Sequence, residues 1–126
     1  MTLAHAVVWT DHHTAKVLQF DAVHTIARVV REHARSAAQH GSGVRSAHEF
    51  YAELCDKLDD LSQIFVTGSH TALADFRHYV DKHRPRTAAR IVAYETVDHP
   101  SENQLVALAR KHFVALERME GTPAPT

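Results

Sequence analysis

Glu49, Glu53 and Glu102 are the side chains best suited to hold a divalent metal for phosphate-ester chemistry. A displaced phosphate needs its charge neutralised on both sides, and carboxylates fix the ions that do this. Glu49 has a second explanation, because it stands three residues after Ser46 and completes a helix capping box. Histidines offer another route, and the chain has 12 of them. His78 and His83 are five apart, whereas two imidazoles share a helix face at a spacing of three or four. His12 and His13 are adjacent in a polar turn, where their side chains diverge. His5 and His24 fall on strands that could bring them together. The chain has no Cys–His cluster, and the expectation is no metal and no cofactor. Ser69, between Gly68 and His70, follows a strand and precedes a helix as a nucleophile would, but the G-x-S-x-G pattern is absent. A helix N-cap accounts for Ser69 without further partners. Cys55, the only cysteine, lies near an apolar helix face and reads as buried and inert. His112 lies on such a face too and reads as a hydrogen-bonded core residue. These residues point away from an enzyme, with a metal-assisted hydrolase or nuclease using the three glutamates as the alternative.

Basic side chains gather in two runs. Arg28, Arg31, Arg35, His40, Arg45 and His48 surround Gly41-Ser42-Gly43, and Lys82, His83, Arg84, Arg86 and Arg90 follow later. Basic groups beside a glycine loop and a helix N-terminus can hold phosphates. The same runs are also what a solvated charged face looks like. The formal net charge is -1, so the whole-molecule charge does not argue for nucleic acid. Full protonation of the histidines would move it to -1 + 12 = +11. The field of such a chain depends on pH between about 5 and 8, although solvated surface histidines are the plainer reading.

The elements that must position these groups follow from periodicity. Residues 4–9 and 15–20 are β-rich runs separated by the polar turn Asp11-His12-His13-Thr14, which reads as a hairpin. Asp21-Ala22 allows only a tight turn. A third extended segment, 23–33, carries Ile26, Val29 and Val30 among charges and reads as an edge strand with room for a bulge. Residues 34–45 read as a flexible loop containing Gly41 and Gly43. The Ser46–Glu49 box opens a helix with Ala47, Phe50, Tyr51, Leu54, Leu58 and Leu61 on one face. Ile64 to Thr67 is apolar on both faces and suits a central parallel strand. A helix over 70–83 turns Leu73, Phe76 and Val80 inward and stops at Pro85. Residues 88–96 form the next strand. Ser101 and Gln104 cap a last helix whose inner face carries Leu105, Leu108, Ala109, His112, Phe113 and Leu116. Residues 121–126 read as a frayed tail.

Length and composition fit one globular domain over residues 1–120. The chain has 126 residues, 44% hydrophobic and 23% charged. No apolar run reaches the length of a membrane span, no signal-peptide pattern opens the chain, and a lone cysteine implies no oxidising compartment. These features lead us to expect a cytoplasmic protein without a membrane partner. The element order β-β-β-α-β-α-β-α, with right-handed crossovers, gives a mixed five-stranded sheet of order 3-2-1-4-5. That α/β architecture is the ribonuclease H-like fold. Nucleases of this fold draw carboxylates from the first strand and from the end of the fourth, yet here the first strand has none and the fourth ends Val66-Thr67-Gly68-Ser69.

With this topology, Gly41-Ser42-Gly43-Val44-Arg45-Ser46 leads into a helix carrying Glu49-Phe50. This stretch resembles the middle domain of archaeo-eukaryotic peptide-chain release factors and Pelota. Four further stretches add to the likeness: His5-Ala-Val-Val-Trp-Thr-Asp-His12, Val66-Thr-Gly68, Glu95-Thr-Val-Asp-His-Pro100 and Gln104-Leu-Val-Ala107 with Ala109-Arg110. Together they resemble bacterial stand-alone release-factor-like proteins of the translational machinery. In release factors the loop before the first helix carries Gly-Gly-Gln, which acts at the peptidyl-transferase centre. The matching loop here reads Gly41-Ser42-Gly43, with Gln39 on the wrong side. The resemblance therefore implies a non-catalytic, translation-associated protein that contacts ribosomal RNA or tRNA. The contact set would be Arg31, Arg35, His40, Gly41, Ser42, Gly43, Arg45 and His48. A structural homo-oligomer paired through the edge strand is the remaining expectation.

Overall fold

Strand β1 (His5–Thr10) is buried from Ala6 onward, and β4 (Gln63–Gly68) from Ile64 onward. Two-sided burial requires a layer on each face of the sheet, and alternation along the strands shows which residues meet which layer. The computed structural model describes residues 5–21, 24–31 and 42–119. Ala6 and Val8 of β1, Ala15 and Val17 of β2 (Thr14–Phe20), and Ile64 and Val66 of β4 enter one core. Val7, Trp9, Leu18, Phe20 and Phe65 enter the other. Helices α1 (Ser42–Lys57) and α2 (His70–His83) close the first core with Phe50, Tyr51, Leu54, Leu73, Phe76 and Val80. Helix α4 (Glu102–Met119) closes the second with Leu105, Val106, Ala109 and Phe113.

The sheet runs β3-β2-β1-β4-β5, with β3 at Thr25–Arg31 and β5 at Ile91–Thr96. Strand β2 is antiparallel to β1 and β3, while β1, β4 and β5 are parallel. This is the expected three-layer ribonuclease H-like arrangement. Strand β3 pairs with β2 over seven consecutive positions, so the bulge allowed for over 23–33 is absent among the described residues. The register shifts instead between Ile64 and Phe65, where β4 meets β5.

Three local features depart from the sequence reading. Helix α1 already begins at Ser42, so Ser46 and Glu49 lie inside the helix and do not cap it. The glycine of a supposed loop, Gly43, is helical. The strand expected over 88–96 begins only at Ile91, because Pro85 is the first residue of a short helix, α3 (Pro85–Arg90), where the N–H that proline lacks has no helical acceptor to lose. Helix α2 still ends where expected, with the Arg84 amide donating to Val80 O at 2.9 Å. The cap at Ser69 is present, its Oγ accepting from Ala72 N at 3.3 Å. The Ser101–Gln104 box is present in both directions, at 2.8 and 3.2 Å. Residues 32–41, which hold most of the expected glycine loop, and the tail 121–126 lie outside the described residues, as do Ala22 and Val23.

Gly68 explains how β4 can end where it does. A Cβ at this position would lie 2.1 Å from Thr10 O, and its φ of +154° disfavours a side chain as well. Its carbonyl accepts from Val97 N at 2.9 Å. The close approach of β1, β4 and the segment after β5 at this edge therefore rests on a residue without a side chain.

Candidate nucleic-acid interface

Helix α1 is amphipathic, and the ring ladder on its inner face decides what its first turns lie against. Phe50 and Tyr51 have ring centroids 5.5 Å apart, and Tyr51 continues to Phe76 at 5.6 Å and Tyr79 at 5.4 Å. Tyr79 is buried and carries the ladder outward to two imidazoles, His83 at 5.0 Å and His48 at 5.4 Å. His48 and His83 are themselves 5.5 Å apart. This packing sets the beginning of α1 beside the end of α2. His48 of the first basic run and His83 of the second, 35 residues apart in sequence, thereby meet on one surface.

Not every cation of the second run faces solvent freely. The guanidinium of Arg84 donates from Nη1 to Asp56 Oδ1 at 3.0 Å, and this contact holds its pKa above the ordinary arginine value. Arg90 donates from Nη1 to Leu61 O at 3.1 Å and to Asp59 O, and its Nη2 lies 3.6 Å from Asp59 Oδ1. These two arginines tie the α2–α3 junction and the end of α3 to the last turn of α1 and the segment that follows it. Lys82, His83 and Arg86 are exposed, as is His48. Asp81 is exposed beside them and pairs with Arg77 at 4.0 Å, so the surface is basic without being uniformly so.

Of the expected contact residues, Arg31 is exposed at the end of β3 and His48 lies in the imidazole group just described. Ser42, Gly43 and Arg45 belong to the first turn of α1. Arg35, His40 and Gly41 lie outside the described residues. Sequence reasoning did not single out Tyr79. Its spacing of four from His83 was the available signal, since residues at that spacing are neighbours on a helix.

The alternative chemistries fare differently. Glu49 and Glu53 are on α1, on one face of the sheet, whereas Glu102 opens α4 on the other. The three carboxylates expected for a nuclease are therefore not brought together. Among the described residues no three His, Cys, Asp or Glu side chains are placed to hold a metal ion. His5 bonds Gln63 at 2.7 Å, whereas His24 pairs with Asp21 at 3.4 Å. Cys55 is fully buried, and burial pushes its thiol up to about 12. His112 is not the hydrogen-bonded residue expected. Its ring stacks on Phe65 at 4.5 Å and 3°, and Nε2 is buried with no hydrogen-bond partner among the described residues. A cavity of about 290 Å³ beside it, lined by Phe65, Glu95, Leu108, Lys111 and Ala115, is on the α4 face, away from the basic surface. No helix among the described residues is long and apolar enough to cross a membrane.

No protein-family model and no curated protein sequence matches the chain. Solved structures do match its fold. Pelota of Archaeoglobus fulgidus superposes with a TM-score of 0.63 at 14% identity, over 86% of this chain and 31% of that one. An archaeal translation termination factor, aRF1, gives 0.58 at 12% identity, over 94% and 42%. Dom34 of S. cerevisiae, a translation termination-like factor involved in RNA quality control, gives 0.55 at 11% identity, over 86% and 32%. The chain thus spans less than half the length of each of these proteins, and at such identities the likeness is one of fold.

Proposed function

We propose that this chain is a translation-associated protein that contacts ribosomal RNA or tRNA through the surface where α1 begins and α2 ends. It acts there as a binding surface and not through a Gly-Gly-Gln hydrolysis loop. The observation that carries this reading is the meeting of His48, from the first basic run, with His83, from the second, against the Tyr79 ring. The fold shared with translation termination factors supports it. We place the chain with bacterial stand-alone release-factor-like proteins of the cytoplasm, with Arg31, Arg35, His40, Gly41, Ser42, Gly43, Arg45 and His48 contributing to the contact. A phosphate-contacting surface releases counterions, so its affinity falls steeply with salt. Ribosome co-sedimentation at low and moderate salt tests this, with Arg45→Glu as the first variant. Salt-sensitive association that weakens in the variant is expected. Association that is absent, or is unchanged by Arg45→Glu, sinks the proposal.

A second reading has its own observation. Every residue of β3 except Val30 is exposed, and Ile26 and Val29 are 49% and 50% exposed. An apolar edge strand of this kind is suited to pairing with a second copy. Light scattering across a concentration series decides it, since a constant monomer mass removes the reading.

A further inference from the structure

Open α/β sheets leave room for a ligand outside the carboxyl ends of their parallel strands. At that end the β1–β2 turn meets the first turn of α2, and three side chains fall in line. Thr71 Oγ1 is 3.0 Å from His12 Nε2. His12 Nδ1 is 3.5 Å from Asp75 Oδ2, an ion-pair distance. Thr71 and Asp75 stand four apart on α2, so one helix face presents both. The turn that supplies His12 is braced on each side of it. Asp11 Oδ1 accepts from the amides of His13 at 2.7 Å and Thr14 at 2.6 Å, and the Thr10 hydroxyl donates to Asp11 O at 2.8 Å.

In the tautomer with its proton on Nδ1, on the side of Asp75, the ring offers Nε2 as an acceptor for the Thr71 hydroxyl. Hydroxyl, imidazole and carboxylate in this order activate an oxygen nucleophile, whatever the fold that carries them. Thr71 is the second residue of α2, and the N-terminal end of a helix favours negative charge beside it. His12 and Asp75 have side chains 42% and 62% exposed, so a substrate reaches them without any opening of the structure.

We propose that Thr71, His12 and Asp75 form a hydrolytic site for carboxylic esters. Thr71 Oγ1 bonds to the ester carbonyl carbon while His12 Nε2 takes the hydroxyl proton. The C–O bond to the alcohol then breaks, and the departing oxygen receives that proton from Nε2. Water attacks the acyl-Thr71 ester, giving a proton to His12 that returns to Thr71 Oγ1, and the acid is released. The sum is ester plus water giving acid plus alcohol. Asp75 is a positioning residue that orients the ring and stabilises the imidazolium. The site goes beyond the RNA-contact reading and does not depend on it. Thr71 and His83 are twelve residues apart on α2, about 18 Å along its axis.

The test is hydrolysis of p-nitrophenyl acetate by the full chain, with mass spectrometry of its peptides during turnover. The wild type is expected to show a burst of nitrophenolate and an acetyl group on the peptide containing Thr71. Thr71→Val and His12→Gln should each lose about 100-fold in rate, the low end of what a positioned base supplies. Thr71→Ser should keep activity, which separates lost chemistry from lost folding. Asp75→Asn should lower kcat at unchanged KM, and Asp75→Glu should recover part of it. His13→Gln should match wild type, because a surface imidazole reacting on its own is not the site. Equal rates for wild type, Thr71→Val and His12→Gln, or acetylation confined to other residues, overturn the proposal and leave the contact as a tether between turn and helix.

Discussion

His112 and Cys55 show how one buried polar atom sets local energetics on each side of the sheet. The His112 ring lies flat on Phe65, yet its Nε2 has given up water without gaining a partner among the described residues. An unsatisfied buried acceptor or donor costs about 1–3 kcal/mol, whereas the stacking needs only an aromatic ring. His112→Phe should therefore raise stability by about 1 kcal/mol in urea denaturation, and a loss of stability would show that the imidazole makes a contact worth more than its desolvation. Cys55 has no such conflict, since a protonated thiol is content in an apolar core. Its pKa rises from 9.0 to about 12 because burial disfavours the thiolate. The native state thus holds the proton more tightly than the unfolded chain. This contribution to stability is complete below pH 9 and disappears as pH climbs toward 12. Iodoacetamide at pH 8 should label Cys55 only after denaturant is added, and equal labelling of native and denatured protein would contradict the burial.

The elements differ in how plainly the chain announces them. Strands β1 and β4 were legible because two-sided burial leaves no place for polar residues in their middles. The order of the sheet then followed from connection rules. Helix α4 was legible from a local signal, the reciprocal bonds of Ser101 and Gln104. The same pattern at Ser46 and Glu49 misled, because a capping box in sequence cannot tell whether the chain upstream is already helical. Pro85 marked the end of α2 as expected, but the strand expected from residue 88 is still helical as far as Arg90, since proline stops one helix and can start the next. The candidate site was half legible: the basic runs were visible, but the contact of His48 with His83 depends on Tyr79, and the alignment of His12 with Thr71 joins residues 59 apart in sequence. Two substitutions gauge these elements. Ser101→Ala should cost about 1 kcal/mol by removing the α4 cap, read from the denaturation midpoint. Gly68→Ala should cost about 3 kcal/mol, because its methyl group meets the Thr10 carbonyl within the β1–β4 pairing. If Gly68→Ala were the milder of the two, the backbone there would be yielding and the close packing of this edge would not be essential.

On the scale of the whole molecule, charge and its placement make separate claims. A formal net charge of -1 gives no general attraction to RNA, so any salt-sensitive binding must come from a local surface. Lys82 and Arg86 are exposed cations near that surface, whereas Lys16 on β2 and Lys111 on α4 lie apart from it. Lys16 is in phase with Leu18 and Phe20, the β2 residues that face α4, which places both control lysines on the second face of the sheet. Lys82→Glu with Arg86→Glu changes the net charge from -1 to -1 - 4 = -5, and Lys16→Glu with Lys111→Glu changes it by the same amount. If whole-molecule charge governed association, the two double variants would bind ribosomes equally poorly. If the surface at α1 and α2 governs it, the first pair should abolish the salt-sensitive part of binding and the second should retain most of it. Loss of two phosphate contacts should also flatten the slope of log affinity against log salt by about 1.4 to 1.8, depending on whether the RNA is single-stranded or helical. The two slopes, measured side by side in co-sedimentation, separate the explanations, because net charge shifts both variants alike while a local contact changes only one.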